Sequence, residues 1–428
     1  MIKKELEEKI AEILQFPRSE IKLEHPEVFA HGDFSTNIAL VKSKELNINP
    51  KELAESFVAK LSASNLADVS KIEVAGPGFI NFHLTREFFA DSIKEISEDK
   101  SFGKNDLYKG KKIMVEYTDP NPFKEFHIGH LMTNAIGESI ARLFLESESE
   151  VKKVCYQGDV GLHVAKAVWA IKKQNLKPEN LIVADLGQMY ALGNKAFEEN
   201  EGVKKEIEEI NERLYDRSDS NLNTIYQKGK SLSLQYFETI YQKLDTKFDH
   251  YFFESETAIF GEKMVWEGLG KGVFEKSEGA VIYPGEKHRL HTRVFINKFG
   301  IPTYEAKDLG LAKLKYDTFP YDISISVTAN EISEYFKVVK SALSNLEPEL
   351  AKKLEHIPHG IMKLPGGKMS SRTGEVITAN ELIEKVIAQV EIKMKESGHL
   401  IEGDLKDTIT KQIAVGAIKY SILKQDTG

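Results

Sequence analysis

A strand–helix–strand pattern between Lys112 and Tyr156 constrains this chain more than any other feature. Lys112 to Tyr117 is a short run carrying Ile113, Met114 and Val115. Leu131, Ala135, Ile136, Ile140, Leu143 and Phe144 then recur at helical spacing, and Val151 to Tyr156 is a second apolar run. Strands joined through a helix run parallel and need helices on both faces of their sheet. Between the first strand and the helix stands Glu116-Tyr-Thr-Asp-Pro-Asn-Pro-Phe-Lys-Glu-Phe-His-Ile-Gly-His130. Pro120 and Pro122 predict an extended connection, because proline fixes φ and restricts the residue before it. His127 and His130 fall at the helix N-terminus, where free N–H groups and the positive dipole end favour anions. Gly129 between them leaves room for a flat ring to lie close. A nucleotide with its phosphates at the imidazoles fits this pattern, and a plain surface pair or half of a metal site is the alternative.

Far downstream, Leu364-Pro-Gly-Gly-Lys-Met-Ser-Ser-Arg-Thr-Gly374 places Lys368 and Arg372 in a glycine-rich stretch. Such a stretch has the cations to close over a transferring phosphoryl group. His-Ile-Gly-His and Lys-Met-Ser-Ser-Arg, in this order and each beside a strand, together resemble the two signatures of class I aminoacyl-tRNA synthetases. By that resemblance His127, Gly129, His130 and Met369 bind ATP. His127, His130, Lys368 and Arg372 stabilise charge on its phosphates. Ser371 stands where the loop usually has a second lysine, and Lys124, three residues before the first histidine, is assigned to the phosphates in its place.

Strands and helices continue to alternate after Ala280. Val294 to Ile296, Ile323 to Val327 and Ile357 to Met362 read as strands, and Asn330 to Leu346 as a helix. The fold class expected is therefore α/β, a doubly wound, Rossmann-like parallel sheet with ligands at the carboxyl ends of its strands. A helical insertion at about 173–290 interrupts it. The mostly charged run Glu198 to Arg217 within it reads as a solvated helix face. A small α+β domain at 1–105 precedes the catalytic domain at 106–378, and a helical stem at 379–428 follows it.

The N-terminal phrases His31-Gly-Asp-Phe-Ser-Thr-Asn-Ile-Ala-Leu40 and Val74-Ala-Gly-Pro-Gly-Phe-Ile-Asn-Phe-His-Leu84 narrow the resemblance to arginyl-tRNA synthetases. The matching domain of that family contacts the tRNA D-loop, which makes Phe79 and Asn81 candidates to stack on and hydrogen-bond an unstacked base. Phe79 in the core and Asn81 in a turn is the plain alternative. Recognition of arginine needs carboxylates that meet the guanidinium fork. The resemblance implies Tyr304 and Asp308 for that end, and Glu116 and Asn121 for the amino-acid end. His163, in Gly158-Asp-Val-Gly-Leu-His163, either lines the pocket or is packed. Ile332 occupies a position where these enzymes usually carry glutamine. Arginyl enzymes continue from a point like Asn380 into an anticodon-binding domain, and two helices are all that follows here.

The implied activity is arginine–tRNA ligation, with ATP and the Mg²⁺ it carries as cofactors and no structural metal. The partners implied are L-arginine, ATP and tRNA specific for arginine, with no membrane, and a monomer is expected. The alternative is a shortened or inactive paralogue that binds tRNA or arginine without charging. A net charge of −8 leaves only local basic surface for RNA. One cysteine, Cys155, excludes an intrachain disulfide and a cysteine-based zinc site, and fits the reducing cytoplasm. A glutamyl enzyme would want a basic pocket in place of Asp308. A small nucleotidyltransferase would share the histidines but not the N-terminal domain.

Overall fold

A computed structural model describes residues 2–64, 66–361, 377–398 and 403–425. The chain divides into two compact units, Met1–Gly103 and Lys104–Gly428.

The first unit contains α1 (Ile2–Leu14), β1 (Phe34–Thr36), α2 (Ile38–Leu46), α3 (Pro50–Ala63), β2 (Val69–Ala75), β3 (Phe79–Leu84) and α4 (Arg86–Glu98). Its antiparallel sheet has the order β1-β3-β2. Leu6, Ile10 and Leu14 of α1 and Leu53, Phe57 and Leu61 of α3 bury against Phe34, Ile80 and Phe82 of the strands. Both helices thus bury the apolar faces their 3.6-residue period predicts. Asn49 caps α3 by accepting from the N–H groups of Lys51 and Glu52, with Pro50 at the first helical position.

The second unit begins with β4 (Lys112–Glu116), α5 (Ile128–Glu146), β5 (Glu150–Gln157) and α6 (Leu162–Lys173). Next come α7 (Val183–Glu199), α8 (Glu201–Asp216), α9 (Ser220–Lys243), β6 (His250–Phe253) and α10 (Glu254–Gly270). A small antiparallel sheet follows, made of β7 (Glu275–Ser277), β8 (Ala280–Tyr283) and β9 (Arg293–Ile296). The last elements are α11 (Tyr304–Thr318), β10 (Ile323–Ala329), α12 (Ser333–Leu346), α13 (Pro348–Ala351), β11 (Leu354–His359), α14 (Ala379–Glu396) and α15 (Asp404–Leu423).

The main sheet is parallel throughout, in the order β11-β10-β4-β5-β6. Its two faces follow the period of the strands. Ile113 and Val115 of β4 and Cys155 of β5 join one core with Leu131, Phe237 and Ile383. Met114 and Val154 face the other way, with Met264, Leu309 and Val338. Helices α5, α9 and α14 therefore cover one side, and α10, α11 and α12 the other. Strand order reverses between β4 and β10, and a doubly wound sheet binds its ligands at such a switch point.

Two boundaries differ from the sequence reading, and β9, read there as part of the parallel sheet, instead pairs antiparallel with β8 outside it. β6 lies inside the stretch assigned to the insertion, yet it pairs in parallel with β5. Four residues between a turn and a helix carry too short a pattern to announce a strand. β11 starts at Leu354 rather than Ile357, opposite Ser324 of β10. The charged run at 198–217 is more than a solvated face, since α8 buries Ile207, Ile210 and Leu214 in the helical core built on α6.

Candidate active site

The connection from β4 to α5 is not extended. Thr118, Asp119 and Phe123 have φ values of 84°, 48° and 66°. A left-handed β-branched residue such as Thr118 is a genuine outlier, and each such residue costs roughly 1–3 kcal/mol. The prolines set their own φ values, while partners elsewhere in the unit hold the bends. Asn134 of α5 donates to Thr118 Oγ1 at 3.0 Å, and the Tyr156 N–H of β5 donates to Asp119 at 2.7 Å. The Phe123 N–H meets Ser233 Oγ of α9 at 2.9 Å, and its ring lies where a Cβ on Gly229 would be.

This loop delivers the two histidines. The His127 side chain caps α5 by accepting from the Gly129 N–H at 3.1 Å, and His130 Nδ1 accepts from the His127 N–H at 3.2 Å. The rings stack at 3.7 Å and 16°. The Ile128 N–H goes to Ile377 O, and those of His130 and Leu131 to His127 O. The free backbone donors expected at this terminus are therefore already engaged, and what remains for an anion is imidazole. Burial, reinforced by Lys124, holds His127 down to about 4 and His130 well below its usual range. With Nδ1 of each neutral ring accepting, the ring proton sits on Nε2. The pair thus offers two N–H donors without charge. Lys124 also rests over the ring of Tyr190, 5.0 Å from its centroid.

Lys368, Met369 and Arg372 lie outside the described residues. One flank of their segment is tied to α5 at His359, whose Nε2 is 2.9 Å from Thr133 Oγ1, and the other to the loop before α5 at Ala379, whose N–H meets Phe126 O at 2.8 Å.

Carboxylates gather beside the switch point. Glu116 ends β4 and is buried with Lys315, Nζ to Oε2 2.9 Å. Glu254 opens α10 and is buried with Lys307 at 2.6 Å. Glu305 accepts from Arg293 at 3.0 Å. Asp308, on α11, accepts from the Tyr335 hydroxyl at 2.7 Å, its one hydrogen-bond partner among the described residues. Burial and the acids around it push Asp308 up to about 8, although Tyr335 pulls the other way. Asp308 and Glu116 line a cavity of about 340 Å³ with Ser326 and His356. Tyr304 begins α11, and its ring lies 5.1 Å from Lys307 Nζ.

Gly158 ties the loop to the acids. Asn121 Oδ1 accepts from its N–H at 3.0 Å, and His163 Nε2 donates to its carbonyl at 2.7 Å. A Cβ there would stand 2.5 Å from Asn121 Oδ1 and 2.9 Å from Glu254 Oε1. His163 is therefore a packed histidine that fixes this turn. Its neighbour Asp159 is fully buried and accepts from Tyr226, Lys230 and Ser255. The sequence reading missed Glu254, Lys307, Lys315 and Tyr335. A carboxylate directly after a strand was the available signal for Glu254, but β6 itself was hidden. Ile332 is partly exposed at the entry to α12.

In the first unit, Phe79 is 40% exposed and Asn81 is buried on β3. Both line a cavity of about 510 Å³ with His25, His31 and Asn37.

A parallel doubly wound sheet with a stacked histidine pair on its first crossover helix is the nucleotide-binding arrangement of the class I synthetases. Residues 92–427 match the family tRNA synthetases class I (R), catalytic domain, and residues 1–84 match the arginyl tRNA synthetase N-terminal domain. The chain belongs to the arginyl-tRNA synthetase family. The arginine–tRNA ligase of Treponema denticola is 30% identical over 400 residues, covering 89% of this chain and 66% of its own. That of Borrelia hermsii is 29% identical over 449 residues, covering 99% and 75%. This chain thus spans about two thirds to three quarters of the length of these relatives. Thermus thermophilus arginyl-tRNA synthetase shares the fold with a TM-score of 0.65 at 21% identity, covering all of this chain and 76% of that one. The Plasmodium falciparum enzyme follows at 0.61 and 21%, covering all of this chain and 75% of its own. No helix among the described residues is long and apolar enough to cross a membrane.

Proposed function

We propose that this chain is an arginine–tRNA ligase, activating L-arginine with ATP and transferring it to tRNA specific for arginine. The observation that carries the reading is Asp308. It is a carboxylate held close to the switch point by a neutral hydroxyl, among acids that are paired internally. Such a group favours a cation, and a guanidinium presents donors matched to it.

In the first step an oxygen of the arginine carboxylate attacks the α-phosphorus of ATP, and the bond to the β-phosphate oxygen breaks, releasing pyrophosphate. In the second, a terminal ribose oxygen of tRNA attacks the arginyl carbonyl. AMP leaves, and the ribose hydroxyl gives up its proton. Positioning and charge stabilisation do the work here, without a covalent enzyme intermediate. His127 and His130 donate from Nε2 to phosphate oxygens above Gly129. Lys124, Lys368, Met369 and Arg372 complete the ATP contacts. Mg²⁺ travels with the triphosphate, held mainly by phosphates and water. Asn121 and the free oxygen of Glu116 face the amino-acid end, while Tyr304 and Asp308 face the guanidinium. Phe79 offers its exposed ring, and Asn81 its amide, to an unstacked D-loop base.

The test is arginine-dependent exchange of pyrophosphate into ATP, with and without tRNA specific for arginine. Exchange that requires arginine supports the reading. Exchange driven by another amino acid, or no binding of arginine at all, sinks it.

A further inference from the structure

We infer that Tyr335 is a specificity-determining positioning residue: by holding Asp308 through a hydroxyl instead of a cation, it leaves that cavity-lining carboxylate open to a substrate guanidinium. The inference deepens the arginine reading above and rests on it. Five carboxylates gather around this part of the sheet: three are matched by the chain's own cations, Asp119 accepts from the Tyr156 backbone N–H, and Asp308 lines the cavity. Lys315 meets Glu116, Lys307 meets Glu254 and Arg293 meets Glu305, each within 3.0 Å. Were Asp308 paired in the same way, both acids that α11 and β4 bring to the cavity would be held by the chain's own lysines. Tyr335 supplies one directional hydrogen bond at 2.7 Å to Oδ2, which orients the carboxylate and leaves Oδ1 for a ligand.

The tyrosine is itself held in place. The Arg293 guanidinium lies over its ring, 5.4 Å from the centroid, and is anchored on Glu305 one helical turn before Asp308. Tyr335 also packs beside the core shared by α11 and α12. A chain of contacts from β9 through α11 to α12 thus fixes where the hydroxyl points. Position and orientation at this level decide whether a charge-assisted contact forms.

The arrangement predicts a pH signature. Asp308 faces Glu116 and Asp119 from the β4 end, Tyr156 from β5, Glu254 from α10 and Tyr335 from α12, and shares its cavity with Lys337 and Lys340 of α12 and Glu355 and His356 of β11. Its own helix adds Glu305 and Lys315. Burial and the neighbouring acids raise the Asp308 carboxyl to about 8, so near neutral pH it carries a proton that a bound guanidinium must expel. Arginine affinity therefore rises with pH up to that value and levels off above it. Without the Tyr335 hydroxyl the carboxyl becomes a weaker acid, and the levelling-off moves to higher pH.

The experiment is calorimetric titration of arginine into the full chain from about pH 6 to about pH 10. It compares wild type with Tyr335→Phe, Asp308→Asn and Tyr283→Phe. Tyr283 is the control, because its hydroxyl bonds to Ser341 on the same helix at 2.7 Å and away from any acid. Tyr335→Phe is expected to weaken arginine by roughly ten- to a hundredfold near neutrality and to shift the profile upward. Asp308→Asn should flatten the profile, and Tyr283→Phe should leave affinity and profile unchanged. The inference is overturned if Tyr335→Phe keeps wild-type affinity, or if it weakens binding without a shift and Tyr283→Phe does the same. A profile that survives Asp308→Asn also overturns it, since Asp119 or Glu254 would then be the titrating group. Wild-type chain that binds no arginine at any pH defeats the arginine reading itself, a result that Tyr335→Phe cannot mimic.

Discussion

The histidine corner and the carboxylate corner of the second unit are built in opposite ways. His127 and His130 are placed by one another and by the turn they start, through hydrogen bonds that span two or three residues. The acids are placed by partners far along the chain. Lys315 lies 199 residues from Glu116, and Lys307 lies 53 from Glu254. A local device keeps its geometry as long as its helix survives. A long-range one depends on the whole sheet, and removing one partner leaves a charge stranded. Neutral donors suit the first corner, which we propose meets phosphate. Charge left over suits the second, which we propose meets a cation.

The largest expected effect breaks the long-range side of this contrast. Lys315→Met leaves Glu116 buried and unpaired and should lower unfolding free energy by roughly 3–5 kcal/mol. Adding Glu116→Gln should recover most of that loss in a urea titration. Equal stability of single and double variants would show that the pair is not what holds β4 to α11.

Asp308→Asn should leave the fold intact and weaken arginine by roughly 10²–10³-fold, with ATP affinity unchanged. Calorimetry with each ligand reads this directly, and parallel losses for both ligands would count against a division of labour between the corners.

On the local side, His127→Asn keeps a side-chain acceptor at the helix cap, so stability should change by less than about 0.5 kcal/mol. It removes a phosphate donor, and pyrophosphate exchange should fall roughly a hundredfold. Stability falling with activity would mean that the histidine serves the helix rather than the nucleotide.

A further expected effect is a pH slope. His127 titrates near 4 and His163 near 3 when folded, against an ordinary value near 6.5 once unfolded. The unfolded chain therefore takes up protons first, and stability should fall as pH drops from about 6.5 towards 4. Urea midpoints at the two ends of that window test the sign, and His127→Asn should shallow the slope.

The contrast also explains what could be read in advance. Ile113, Met114 and Val115 carry a strand whatever surrounds them, and the helix after His130 carries its own period. The two signature stretches stand out because their chemistry is concentrated within a few residues. Glu254 was invisible, since it follows a strand of four residues that pairs only when β5 is present. The left-handed turn at Thr118 was equally hidden. Its prolines argue for an extended path, and the groups that bend it lie on α5, β5 and α9.

By itself, then, the sequence determined a parallel sheet with helices on both faces, the histidine start of its first crossover, and the acid at Asp308 on a helix. These follow from side-chain period and from residues adjacent in the chain. Only the tertiary structure decided that the backbone donors of α5 are already engaged, and that three of the acids around Asp308 are neutralised from within. Charge pairing and desolvation act between groups that are distant in sequence, so no local pattern records which carboxylate stays open.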